Sequence, residues 1–258
     1  PYLNDTDPSY ISQGNSELDS EKSHAFNLSY SNFTQKFNIN LSARYSFTNN
    51  SIENVTKLMP DTEIEGLKNP TGKGVLYSTY ANIGKTRRAS VSAYVNWNAT
   101  PRTRIYMNMS GDYSYMEGSE GMRNDGWSLF AYGGAQQTLP HDWRISLNVF
   151  GQTPWIMLQG KGSSFFDYGL SVNKSFLNKR LTLSAFASNF FKKYMDQSST
   201  TEGAGFIRES SYKYSRQRFG ISVSYRIGEL KASVKKAART ISNDDVKSGG
   251  SGSGGGGE

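Results

Sequence analysis

The stretch Arg218-Phe219-Gly220-Ile221-Ser222-Val223-Ser224-Tyr225-Arg226-Ile227 sets Phe219, Ile221, Val223, Tyr225 and Ile227 on one face. Gly220, Ser222, Ser224 and Arg226 fall on the other. A period of two is the signature of a strand with one apolar and one polar side. Downstream the chain turns into charge, Ser and Gly, and no further alternating run is expected to pair. The stretch therefore reads as the closing strand of a sheet.

The same alternation recurs upstream. Residues 36–48 carry it most cleanly, with Phe37, Ile39, Leu41, Ala43, Tyr45 and Phe47 against Asn38, Asn40, Ser42, Arg44 and Ser46. Similar runs occupy 23–31, 89–97, 103–116, 126–138, 143–157, 164–176 and 181–194, and the closing run extends back to 212. Nine strands are expected. Residues 1–22 are rich in turn formers, such as Asn4-Asp5-Thr6-Asp7-Pro8, and read as a loop.

The connections alternate in length. Those at 32–35, 99–102, 139–142 and 177–180 are tight, whereas 49–73, 117–125, 158–162 and 195–205 are longer and varied. In an up-and-down sheet alternate connections lie at the same end, so one end is trimmed and the other elaborated. Most runs exceed a dozen residues, against about 5–6 for soluble strands. Trp97 and Trp143 stand beside tight turns, and Trp127 and Trp155 near the long-connection end. Two aromatic bands suit two membrane interfaces. The polar face is mostly Ser, Asn, Thr and Gly with Arg44, Arg144 and Asp167, as a wet interior requires. The expectation is an all-β, antiparallel up-and-down transmembrane β-barrel segment over 23–227, with apolar rows turned to lipid. A soluble barrel or sandwich is the alternative.

Composition agrees. Hydrophobic residues make up 36% but aromatics 13%. There is no cysteine, hence no disulfide framework and no thiolate ligand or nucleophile. No apolar run is long enough for a membrane helix, and alternating strands score as hydrophilic on average, here a mean hydropathy of -0.61. The net charge of +7 is scattered, apart from 85–88 and 231–239, and argues against a nucleic-acid partner.

Nine is odd, so in a meander the first and last strands run the same way and cannot close antiparallel; single-chain bacterial barrels have even counts. With no leader at the start, the chain is expected to be the C-terminal part of a larger barrel. Residues 228–258 end in Gly and Ser and read as a disordered periplasmic tail, native or an appended linker.

Three segments carry a resemblance. Ser12-Gln13-Gly14-Asn15-Ser16-Glu17-Leu18-Asp19-Ser20-Glu21-Lys22-Ser23 resembles the Gly-Asn-Pro-x-Leu-x-x-Glu-x-Ser stretch of TonB-dependent transporter barrels, with Ser16 in place of Pro. Tyr80-Ala81-Asn82-Ile83-Gly84-Lys85-Thr86 resembles the Asn-Ile-Gly-Lys segment of the same barrels. Arg218, Gly220, Val223 and Tyr225 match the assembly signal of outer-membrane proteins, which normally ends the chain. The resemblance implies a barrel of about 22 strands with a plug in the outer membrane of a Gram-negative cell. It implies import of a bulky, unidentified nutrient energised through TonB, with outer-membrane lipids and the barrel assembly machinery as further partners. This chain contains no plug and no TonB box. A plugless barrel acting as a passive pore or adhesion protein is the competing function.

Enzymatic chemistry is not expected. His24 opens a strand and His141 sits in a turn beside Asp142, and no Ser occupies a nucleophile turn. No metal or cofactor is expected, the acids of 117–125 lacking calcium-loop spacing. Substrate capture falls by position to the long connections, where residues 1–22 are expected to form an outer loop.

Overall fold

A computed structural model describes residues 2–228. The expected tail, 229 onward, lies outside the described residues. The first two strands, β1 (Leu3–Asp7) and β2 (Tyr10–Gln13), pair as a hairpin within the segment expected to be loop. Then come β3 (Lys22–Phe33), β4 (Phe37–Pro60), β5 (Gly74–Thr100), β6 (Thr103–Glu117), β7 (Arg123–Leu139) and β8 (Trp143–Gln152). Two short pieces follow, β9 (Ile156–Met157) and β10 (Gly160–Lys161), then β11 (Phe165–Phe176) and β12 (Leu181–Ser188). β13 (Tyr194–Gly203), β14 (Phe206–Ser215) and β15 (Arg218–Tyr225) are the last strands among the described residues. Two single-turn 3-10 segments, Asp61–Glu63 and Ser119–Gly121, are the other regular elements among the described residues.

Nine of these strands form an antiparallel meander, β3-β4-β5-β6-β7-β8-β11-β12-β15. The count matches the sequence reading; several boundaries do not. β4 and β5 continue far into the expected 49–73 connection and leave only 61–73 unpaired, after a bulge at Asn49–Ile52 shifts the register. β8 stops at Gln152 rather than 157, two residues short of Pro154, which has no N–H for the ladder. The expected 195–205 loop is the β13–β14 hairpin, turned at Gly205 (φ 79°). That hairpin takes residues 212–215 from the closing strand, and β15 ends at Tyr225 instead of 227. β14-β13-β10-β9 forms a second sheet at the long-connection end.

The tight turns follow local chemistry. Thr34 Oγ1 donates to the Phe37 carbonyl (2.7 Å) and accepts from the Phe37 N–H (2.8 Å). His141 and Asp142 both adopt left-handed backbone (φ 62° and 59°) and close the three-residue turn between the paired Leu139 and Trp143. His141 is thus placed as turn geometry.

The buried apolar clusters are small and lie beyond the strands' middle, at the long-connection end: Ile11, Ile64 and Val75 in one, Met116, Ile156 and Leu158 in the other. The main apolar rows lie exposed. One rung, Phe37–Trp97–Ile105–Ala135–Leu147–Leu170–Ala187–Phe219, crosses eight strands on one face. Each of its large side chains is at least 37% exposed. A soluble barrel would bury this rung, because burying one such side chain is worth about 1.5–3 kcal/mol in water. Among the described residues β3 and β15 have one neighbour each and the sheet is open.

Candidate functional site

The neighbouring rung on the opposite face reads Asn38–Asn96–Tyr106–Gly134–Asn148–Gly169–Ser188–Arg218. Arg44, Arg88, Arg104, Asp112, Arg144 and Asp167 share that face by register. On β11 the apolar face carries one charge, Lys174, whose ammonium lies 5.3 Å from both the Trp143 and the Phe176 ring centroids. Lys174 also donates to the His141 carbonyl at the turn. A long cation leaning to the strand end among rings is snorkelling.

Glycines shape the polar wall. A Cβ at Gly134 would lie 2.6 Å from the Tyr106 hydroxyl. Its absence lets Tyr106 cross β7 and donate to Asn148 Oδ1 on β8. Gly169 likewise carries no side chain beside Asn148, and a cavity of about 300 Å³ opens there. Its polar lining includes Asn148, Asp167, Ser188, Asn189, Arg216 and Arg218. Asp167 accepts from the Arg216 guanidinium and from Asn189 Nδ2 (2.8 Å). Asn189 turns the chain out of β12 in left-handed conformation (φ 50°) and also donates to the Arg216 carbonyl (3.3 Å). Beside this cavity Phe150 packs edge to face with Phe130 and tilted against Phe165, with centroids 5.3 Å and 4.7 Å apart. Guanidinium, carboxylate, amide and ring faces together have the chemistry to hold a polar, partly apolar solute. Among the described residues no group of three His, Cys, Asp or Glu gathers at metal-binding range.

At the long-connection end the loops are folded together. Gln159, from the β9–β10 turn, donates to the Thr56 carbonyl (2.9 Å) and accepts from the Thr56 N–H (2.7 Å), completing the pairing of β4. Arg208 of β14 stacks 3.8 Å above the Tyr10 ring. Lys57 pairs with Glu120 (2.8 Å). Asp61, buried at the head of 61–73, accepts from Thr71 N (2.6 Å), Thr71 Oγ1 (2.7 Å) and Gly72 N (2.7 Å). Those donors hold its carboxyl below the ordinary 3.8, the Thr71 N–H foremost.

The two upstream motifs meet in this layer. Asp19 N donates to Asn82 Oδ1 (2.7 Å), Asn82 Nδ2 returns to the Asp19 carbonyl (2.8 Å), and Asn15 Nδ2 donates to the Tyr80 carbonyl (2.9 Å). Gly84 lies against the bulge, where a Cβ would meet the Ser51 and Glu53 side chains. So Asn15 and Asn82, one from each segment, have a shared structural use: with the Asp19 backbone they clasp 12–21 to β5.

The remaining sequence-predicted residues divide by face. Arg218 lines the polar cavity, while Val223 and Tyr225 stand exposed on the apolar face. Gly220 lies beneath the Phe186 ring. Trp97 stands between Phe37 and Ile105, and Trp127 stacks on Tyr113 (5.4 Å) in the rung Phe26–Tyr45–Ala89–Tyr113–Trp127. Trp155 is not on a strand; it lies between β8 and β9 with its ring over Gly162. Sequence reasoning missed Arg216, Asn189 and the Asn82 clasp, whose partners are brought in by strand pairing rather than by spacing.

A meander of long strands, apolar on one face, polar on the other and elaborated at one end, is the wall of a membrane-spanning β-barrel. The chain belongs to the outer membrane protein beta-barrel family, whose model matches residues 1–225. Its place is therefore the outer membrane. No curated protein matches the sequence.

Proposed function

We propose that the chain is the C-terminal barrel part of a TonB-dependent receptor that imports a bulky nutrient across the outer membrane. The observation that carries this reading is the clasp between Asn15, Asp19 and Asn82, which joins the two segments that resemble such transporters. Two further observations support it. β3 and β15, first and ninth in an antiparallel meander, run the same way, so closure requires additional strands between them. The folded outer layer and the polar cavity at Asp167, Arg216 and Arg218 offer capture and passage surfaces along one wall.

The test uses the full-length protein in its host. Growth on single bulky nutrients is compared with the protein present or deleted, each with and without a working TonB system. The proposal expects at least one nutrient whose uptake needs both. Uptake that needs the protein but ignores TonB would overturn it in favour of a passive pore.

A further inference from the structure

On the apolar face of β3 to β7 a groove runs along the strands, with a cavity of about 600 Å³ continued by one of about 440 Å³. Ala43, Val91, Ala93 and Ala131 form its floor, and Leu28 and Leu129 stand at its sides. Its upper end meets the rung Phe26–Tyr45–Ala89–Tyr113–Trp127. Beyond that rung the same face changes character. The next rung is His24–Phe47–Arg87–Tyr115–Asp125, and the one after it Lys22–Asn49–Lys85–Glu117–Arg123. Along β5 alone the outward residues run Ala93, Val91, Ala89, Arg87, Lys85, a shift from small apolar to cationic within eight residues, about 26 Å.

Four cations and two acids share these two rungs. Glu117 lies opposite both Lys85 and Arg123, and Asp125 accepts from the Tyr113 hydroxyl (2.7 Å). Arg123 stacks 4.8 Å over Tyr115, and His24 over Phe47 at 5.0 Å. Arg87 and Lys85 are exposed and, among the described residues, take part in no ion pair. Cations on the lipid side just past an aromatic belt lie at headgroup depth. The groove below them is apolar and too broad for one methyl group.

We propose that this groove and its cationic rim bind a phosphate-bearing, multiply acylated lipid of the outer leaflet, with acyl chains over Ala93 and Ala43 and phosphate at Arg87 and Lys85. The occupant follows from charge complementarity: Arg87 and Lys85, exposed and in no ion pair among the described residues, match a headgroup of net negative charge, which a zwitterionic lipid lacks. The inference rests on the membrane-spanning fold and not on nutrient import.

Native mass spectrometry of the full-length protein in detergent, titrated with diphosphorylated lipid A or with its dephosphorylated form, tests this. The phosphorylated lipid should be retained preferentially. R87Q and K85Q should each weaken it about fivefold, and Ala93→Leu, which fills the floor, should weaken it as well. Lys174→Gln, at the other strand end, should change nothing. Heat-modifiable gel mobility identifies correctly folded variants, and R87Q and K85Q, on an exposed surface, keep the test open if Ala93→Leu fails to assemble. Equal retention of both lipids, or of the phosphorylated lipid by wild type and R87Q/K85Q, would overturn the proposal. So would a folded Ala93→Leu that binds as wild type.

Discussion

Met109 and Ser110 are adjacent in β6, yet their side chains meet opposite solvents. Met109 pairs with Ala93 and Ala131 in an apolar rung; Ser110 pairs with Ser92 and Phe130 on the polar face. Met109→Lys places an ammonium near the bilayer midplane and should cost about 2–4 kcal/mol of folding free energy in lipid vesicles. Ser110→Lys, one residue on and beside Asp112, should stay within about 0.5 kcal/mol of wild type. Tyr225 is a weaker probe, because β15 ends there, close to the interface where such costs fall to about 0–1 kcal/mol. Gly220 carries a different constraint. An added Cβ would meet the Phe186 ring, a flexible neighbour able to swing away. Gly220→Ala should therefore destabilise by about 1 kcal/mol, and much less in the Phe186→Ala background. A double-mutant cycle should give a coupling of about 0.5 kcal/mol or more; strict additivity would show that the ring does not depend on the glycine.

Among elements, the 61–73 connection has the most specific chemical anchor. Asp61 is needed as a carboxylate, since all three donors from Thr71 and Gly72 point at its oxygens. Its carboxyl is held below 3.8, so the stabilisation is complete above that value and is lost as pH falls through the lowered folded value. The protection factor of 61–73, which is hydrogen exchange corrected for its intrinsic pH dependence, should be flat from neutral pH to about pH 4 and then fall. Asp61→Asn should raise exchange at neutral pH and remove the acid step. An unchanged profile in that variant would mean that the loop is held by something else.

The elements also show what was legible before the structure. β6 was readable almost to the residue, 103–116 against Thr103–Glu117, because lipid on one side and water on the other impose strict alternation. The β13–β14 hairpin was not. Asp196-Gln197-Ser198-Ser199-Thr200-Thr201 is polar at every position, so no period of two marks it, and both of its faces lie outside the bilayer. The 49–60 extension hid for a related reason: the bulge at Asn49–Ile52 shifts the phase of the alternation where the strand leaves the apolar band. The polar cavity was the least legible part. Asp167 could be placed on the polar face by parity, but its ion pair with Arg216 spans 49 residues and depends on β11, β12 and β15 lying side by side.

At the scale of the molecule, the design is inverted relative to a soluble sheet. Burial is concentrated in the outer layer around Ile11, Ile64, Val75, Met116, Ile156 and Leu158. The spanning strands instead present Leu28, Leu41, Val91, Leu129 and Leu147 outward. These 258 residues contain no cysteine, so each thiol introduced among them is a defined label site. Single cysteines at 105, 107 and 109 and at 106, 108 and 110 of β6, in the full-length protein in lipid vesicles, can be labelled with a water-soluble thiol reagent or an environment-sensitive fluorophore. The even positions should react from water, while probes at the odd positions should be quenched by lipid-borne nitroxides. Equal behaviour at both sets, or aqueous reactivity at 105, 107 and 109 with quenching at the even ones, would contradict it.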